Sequence, residues 1–245
     1  MKRGKTHVLK IWGDFGCFSR PELKTERFSY PCPTPSAARG VFDSIYCKAF
    51  DRRTKTAQFY WQVEKIELLS YPSYIALRRN EVSHTVVADK TIKQWMRHPE
   101  KIKPIVADDK NCRLQRQTMA LRNPIFRIHG HIVARPGFEK SITAYDRQFE
   151  RRAVNGKFFT MPNMGCREFP AFFKYIAEDG KESPPVEYNQ DLGFMLYDVF
   201  DLRRVNNEFV KPFVSVFKAE IEKGQLQVPD YCDSKVLKPE VSHAS

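Results

Sequence analysis

The chain has 245 residues, with 41 lysines and arginines against 29 aspartates and glutamates, which leaves a formal net charge of +12. A hydrophobic fraction of 42% and an aromatic fraction of 13% support a real core and exclude a wholly disordered chain. Charges and prolines break every apolar run well short of the roughly 18 residues of a membrane-spanning helix, so a membrane span is excluded as well.

The basic start, Met1 to His7, is followed only by the short Val8–Trp12 segment. That is too little apolar sequence for a secretory signal, and a cytoplasmic protein is expected. Cys17, Cys32, Cys47, Cys112, Cys166 and Cys232 are scattered, with no pair at C-x-x-C spacing. They are expected to be free thiols, several of them in the core, with neither a zinc site nor a redox motif. No Walker A loop, G-x-G-x-x-G, H-E-x-x-H or G-x-S-x-G occurs, so no cofactor and no bound metal are expected. The positive charge is the electrostatic footprint of a polyanion partner, unless the lysines are merely dispersed.

His7 to Trp12 alternates apolar and polar residues and reads as a half-buried first strand. Gly13 to Gly16 breaks it, and the prolines of Phe28–Ser36 keep the next segment extended. Thr34 is a good N-cap and Pro35 suits the first helical position. Ala38, Val41, Phe42, Ile45 and Ala49 then form one apolar face of a helix, with Tyr46 beside that face and Arg39 and Lys48 away from it. Gln58–Leu68 and Tyr74–Leu77 read as strands. Between about Asn80 and Cys112 the periodicity fades, while Lys90, Lys93, Arg97, His98, Lys101, Lys103 and Lys110 gather around Trp95. This is expected to be an excursion from the core, a loop or arm.

Arg122–Arg135 is the most informative strand. With period two, Phe126, Ile128, Gly130, Ile132 and Ala134 share an apolar face, while Arg127, His129, His131, Val133 and Arg135 share a cationic and imidazole face. A second helix follows over about Ile142–Val154, with Ile142, Tyr145 and Phe149 inward and Arg147, Arg151 and Arg152 outward. Gly156 is placed to end it. From Phe158 onward short strands dominate: Phe169–Ile176, Phe194–Phe200, Phe213–Ala219 and Leu226–Val228. The expected class is α+β. Residues 1–157 form a ferredoxin-like or RNA-recognition-type domain with helices on one face of an antiparallel sheet. Residues 158–228 form a small C-terminal antiparallel β unit, and 229–245 a frayed tail.

Three segments are suggestive as a set: Tyr30-Pro-Cys-Pro-Thr-Pro-Ser-Ala-Ala-Arg-Gly-Val-Phe-Asp-Ser-Ile-Tyr46, Leu114-Gln-Arg-Gln-Thr-Met-Ala-Leu121 and Met164-Gly-Cys-Arg-Glu-Phe-Pro-Ala-Phe172. In this order they resemble the CRISPR-associated family of the type I-C (Dvulg) system, the fifth Cas family, subtype d, of the RAMP superfamily. The resemblance runs from the first strand to about Leu226. It implies a metal-independent endoribonuclease that cuts precursor CRISPR RNA at the base of a repeat hairpin and stays bound as a subunit of the surveillance complex. The ribose 2′-OH would attack the adjacent phosphorus and leave a 2′,3′-cyclic phosphate, aided by a general base, a cation and an acid.

Tyr46 matches the family's catalytic tyrosine. A phenol titrates near about 10, so it acts as a base only if neighbouring cations, such as Arg39 and Lys48, lower its pKa; the alternative is that it mainly orients the 2′-OH. Some members pair that tyrosine with an adjacent Lys–His, and here Arg116-Gln117 stands in that place. Arg116 can clamp a phosphate, but Gln117 cannot transfer a proton. His129 and His131 are the candidate substitutes. The cations assigned to RNA are Arg39, Lys48, Arg127, Arg135, Lys93, Arg97, Lys101 and Lys103. Phe15, Phe18, Tyr30 and Trp95 are considered as base-stacking platforms. Expected partners are CRISPR repeat RNA and crRNA, other type I-C subunits, and double-stranded DNA. The alternative, kept open by Gln117, is a weakly cleaving or non-cleaving RNA- or DNA-binding subunit of the same complex. A metabolic enzyme would carry a small-molecule pocket motif, and none is seen.

Overall fold

The computed structural model describes residues 2–23, 26–48, 57–82, 89–102, 113–177, 182–204 and 212–239. In chain order it builds β1 (Arg3–Trp12), β2 (Phe15–Gly16), β3 (Arg27–Phe28), α1 (Pro35–Ile45), β4 (Phe59–Leu68), β5 (Tyr74–Val82), α2 (Asp89–Arg97), β6 (Arg113–Arg122), β7 (Ile125–Ala134), α3 (Ile142–Val154), β8 (Phe172–Ile176), β9 (Gln190–Asp198), β10 (Ser215–Glu222), β11 (Gln225–Gln227) and β12 (Val236–Leu237). The class is α+β, as expected. Among the described residues no helix is long and apolar enough to cross a membrane.

The main sheet runs β12-β10-β11-β4-β7-β1-β8, with β9 also paired to β10, and every pairing in it is antiparallel. On one face, Ile128 and Ile132 of β7 and Leu9 and Ile11 of β1 are buried under α1 and α3. β4 reaches the same face by an irregularity between Val63 and Lys65. The extra residue, Glu64, lets Trp61 and Val63 point inward before it and Ile66 and Leu68 after it. Phe42 of α1 stacks on Trp61 with centroids 4.7 Å apart, and Phe149 of α3 meets Trp61 edge-on at 4.5 Å. Gly130 is required beneath them, because a Cβ there would come within 3.0 Å of the Phe42 ring and of the Gln62 carbonyl.

α1 starts as its sequence dictates. Thr34 Oγ1 accepts from the Ala37 N–H at 3.2 Å, and Pro35 opens the first turn. Ala38, Val41, Phe42 and Ile45 are buried as expected, while Ala49 lies outside the described residues. α3 buries Ile142, Tyr145 and Phe149, and Gly156 turns the chain out of it at φ +63°.

Four features differ from the sequence reading. β6 was not anticipated as a strand. It pairs along its whole length with β5 and forms the centre of a second sheet with β2 and β3. Second, β8 hydrogen-bonds to β1, so it forms the edge of the main sheet beyond the N-terminal strand. Third, part of the expected loop or arm is helical. In α2, Ile92, Trp95 and Met96 share one side, yet Ile92 and Met96 remain exposed, so this helix stands off the core. Fourth, the segment after Pro229 is not frayed as far as residue 239. Tyr231 and Val236 are buried, and β12 adds to β10.

Candidate active site

Tyr46 is the C-cap of α1, where the backbone turns extended (φ −152°, ψ 119°), and the carbonyls that the helix end leaves without intrahelical partners are taken by other elements. The Ser44 carbonyl accepts from the Phe159 N–H at 2.8 Å, the Ile45 carbonyl from Arg152 Nε at 2.6 Å, and the Tyr46 carbonyl from Trp61 Nε1 at 3.0 Å. Tyr46 itself is 5% exposed, with its ring 5.5 Å from that of Phe59. Its phenol oxygen has no hydrogen-bond partner among the described residues.

This environment corrects one expectation. Burial first, and then the neighbouring Tyr145, push the Tyr46 phenol up to about 12, and Arg152 only partly offsets them. Arg39 does not help, because its guanidinium is engaged by Asp198 at 2.7 Å and Asp43 at 3.0 Å. At neutral pH the phenol keeps its proton and can donate a hydrogen bond.

His129 and His131 are not brought to Tyr46. They lie on the face of β7 away from α1, and each has a carboxylate partner. His129 Nε2 is 3.0 Å from Glu67, and His131 Nδ1 is 2.7 Å from Glu64, which also accepts from Thr6 Oγ1 at 3.0 Å. Arg127 is 2.7 Å from the same Glu67 and donates to the Ser183 carbonyl. Burial alone would raise the Glu67 carboxyl, but hydrogen bonds from His129 and Lys65 hold it down at about 2. Arg135 is buried, donating to the carbonyls of Leu202 and Arg203. The expected cationic stripe is therefore a layer of internal pairs.

Arg116 and Gln117 lie on β6, opposite Arg79 and Arg78 of β5. Arg116 Nε sits 3.3 Å from Glu81 with a third of its side chain exposed, and Gln117 is exposed. Lys93 and Arg97 are exposed on α2, and Lys48 is exposed just beyond α1. The backbone of Lys101 closes the short turn Pro99–Lys101, its side chain lies outside the described residues, and so does Lys103 altogether. Phe18 and Tyr30 are core residues. Phe15 packs at 6.0 Å from Phe169, and Trp95 is half-buried on α2.

The family model for CRISPR-associated protein (Cas_Cas5), subtype Cas5d, matches residues 6–229. The chain belongs to the Cas5d family. It is 35% identical to the CRISPR pre-crRNA endoribonuclease Cas5d of Thermus thermophilus, with 96% of both chains covered. It is 34% identical to the CRISPR pre-crRNA endoribonuclease Cas5d of Mannheimia succiniciproducens, covering 93% of this chain and 96% of that one. In fold it is similar to a crystal structure of a CRISPR-associated protein, with a TM-score of 0.63, 16% identity and 97% and 98% of the two chains covered. A crystal structure of a protein from Streptococcus mutans has a TM-score of 0.61, at 17% identity and 97% and 99% coverage.

Sequence reasoning missed two features of this Cas5d fold. One is the junction of Arg152 and the Phe158-Phe159 turn with the end of α1. The only local signal was a pair of aromatics just after the helix-ending Gly156, and the contact with α1 is non-local. The other is the cleft at the N-terminal end of α1, of about 390 Å³, lined by Cys17, Ser19, Thr34, Gly40 and Cys166 among others. The Cys166 thiol donates to the Cys17 carbonyl at 3.5 Å. A hydrogen bond from the Cys166 thiol, against the opposing effect of burial, lowers Cys17 to about 7.

Proposed function

We propose that this chain cuts precursor CRISPR RNA at the base of its repeat hairpin, by attack of a ribose 2′-OH on the neighbouring phosphorus. The observation that carries this reading is the match over nearly the whole chain to two relatives named pre-crRNA endoribonucleases, at 35% and 34% identity. The β-α-β-β-α-β connectivity of β1, α1, β4, β7, α3 and β8, with β4-β7-β1-β8 adjacent in that order, supports reading this layer as ferredoxin-like.

In this reading Tyr46 acts as a positioned donor. Its protonated phenol holds the 2′-OH or a phosphate oxygen in line, which is a positioning and electrostatic contribution with no proton abstracted by the phenolate. Arg116 contributes a guanidinium to the phosphorane charge. Lys48, Lys93 and Arg97 offer open positive charge to the RNA backbone, whereas Arg39, Arg127, Arg135, His129 and His131 serve the fold. After cleavage the product stays bound, and the protein acts as a crRNA-holding subunit. Double-stranded DNA is a second ligand for the same positive surface.

A non-cleaving subunit is the second reading, favoured by Gln117 in the place of the family histidine and by the raised pKa of Tyr46. Incubation with the host's repeat RNA in EDTA, beside a copy with 2′-deoxyribose at the cut, separates the two. Cleavage of the first RNA alone supports the enzyme. Salt-sensitive binding that leaves both RNAs intact overturns it in favour of the binding subunit.

A further inference from the structure

Residues 154–161, from the last residue of α3 onward, are an unbroken exposed run that displays Val154, Phe158, Phe159 and Met161, the last three with 44%, 63% and 47% of their surface in solvent. Isolated exposed apolar residues need no explanation, but several in one short turn do. Phe159 is not loosely displayed. Its N–H is bonded to the Ser44 carbonyl at 2.8 Å, and the Arg152 guanidinium lies 3.8 Å from its ring centroid. Arg152 is fixed in turn by its 2.6 Å bond to the Ile45 carbonyl. One face of the ring is therefore covered by a cation, and its backbone is anchored at the end of α1, on the carbonyl two residues before Tyr46.

The surrounding charge selects the occupant. Arg147, Arg151 and Lys157 are exposed, and among the described residues none is paired with a carboxylate. The nearest acid on this stretch of α3, Glu150, is neutralised by Lys5 at 2.6 Å. Aromatic rings interleaved with unpaired cations are what single-stranded RNA uses, since every base has a face to stack and every nucleotide a phosphate to neutralise.

We propose that Phe159, backed by Arg152, is a stacking platform for an unpaired base of the RNA beside the bond that Tyr46 serves. The location relative to the cut rests on the cleavage reading above, but the stacking itself does not. Ordering the ring before RNA arrives lowers the entropic cost of binding, and the guanidinium beneath it adds a cation–π contribution. Arg147, Arg151 and Lys157 then track the backbone leading to the platform.

The test uses repeat RNA with 2′-deoxyribose at the foot of the hairpin and 2-aminopurine placed in turn at each unpaired nucleotide flanking it. Unaltered protein and Phe159→Trp should quench one position. Phe159→Ala should lose that quench and weaken binding about tenfold. Phe159→Leu should behave as Phe159→Ala, because it keeps apolar area but has no ring to stack. All three substitutions leave the fold intact, since the side chain is exposed, and circular dichroism checks this. If Phe159→Ala quenches and binds as the unaltered protein does, the platform is overturned, whatever the cleavage assay says. Loss of binding to another protein subunit, with RNA quenching unchanged, also overturns it and assigns the patch to a protein. If unaltered protein leaves normal repeat RNA intact while Phe159→Ala still loses the quench, the platform stands and only the cleavage reading falls.

Discussion

Glu67 of β4 and His129 of β7 meet at 3.0 Å across the sheet, and the same carboxylate takes Arg127 at 2.7 Å and Lys65 at 2.8 Å. One acid thus neutralises much of what looked in sequence like an open cationic face. The register sets the partnership. Lys65 is opposite His129 and Glu67 opposite Arg127, and only the extra residue at Glu64 brings them to that side.

Glu67→Gln should therefore cost about 2 kcal/mol of stability at pH 7, because it removes the charge that three buried or half-buried donors share. The pH dependence follows from its depressed pKa of about 2. The stabilisation is complete above the unfolded value, near about 4.3, and is lost as pH falls toward the folded value. Urea titrations at pH 7, 4 and 3 should show the gap between variant and parent narrowing with acid. A gap that stays constant would assign the loss to packing alone.

Tyr46→Phe should fold normally, because the ring keeps its place against Phe59 and the hydroxyl gives up no hydrogen bond within the described residues. Its thermal midpoint should move by no more than a degree or two. Cleavage of repeat RNA should fall at least a hundredfold. Because burial and Tyr145 push the phenol up to about 12, Tyr46 stays protonated across pH 6–9. The parent's rate profile should show no inflection from it in that range. An inflection near neutrality that disappears in the phenylalanine variant would restore the tyrosinate base.

The sequence made α1 readable because every device is local: the Thr34 cap, Pro35 behind it and the spacing of Ala38, Val41, Phe42 and Ile45. β6 was not readable. Its first half, Arg113–Gln117, is exposed or half-exposed, and only Thr118, Ala120 and Leu121 are buried. It is a strand because β5 pairs with it, which no local pattern records. His7 shows a signal present but unused. The alternation His7, Leu9, Ile11 already put the imidazole on the apolar face, where it is fully buried against Phe149 and lies 3.0 Å from Asp146. The alternation of β7 correctly divided its two faces. It could not reveal that Glu64 and Glu67 would occupy the polar one, since cross-strand partners depend on register.

Arg39 was assigned to RNA, yet its guanidinium joins α1 to the end of β9 through Asp198, which is 1% exposed. Arg39→Ala leaves that carboxylate buried with, among the described residues, only the N–H groups of Val199 and Phe200 for support. The expected cost is about 3 kcal/mol, read as a lower denaturation midpoint. RNA affinity of the folded protein should stay within about twofold of the parent, whereas a phosphate contact would also flatten the salt dependence. Adding Asp198→Asn should recover part of the stability, because the stranded charge is then gone.

Gln117 offers a gain-of-function test of the site. The side chain is exposed on β6, and among the described residues its one hydrogen-bond contact is a 3.7 Å approach to the Met119 sulfur. Gln117→His should therefore change stability by less than about 0.5 kcal/mol. A histidine there titrates near about 6.5 and can exchange a proton with the 2′-OH or the leaving oxygen, which glutamine cannot. Cleavage at pH 7 should rise about a hundredfold, the lower end of what a general acid or base contributes. The rate profile should gain an inflection near pH 6.5 that the parent lacks. Arg116→Ala in the same background should remove most of that gain, since the proton donor then faces a phosphorane with no cation beside it. An unchanged rate and a flat profile for Gln117→His would place β6 away from the reacting phosphate and leave Tyr46 without this partner.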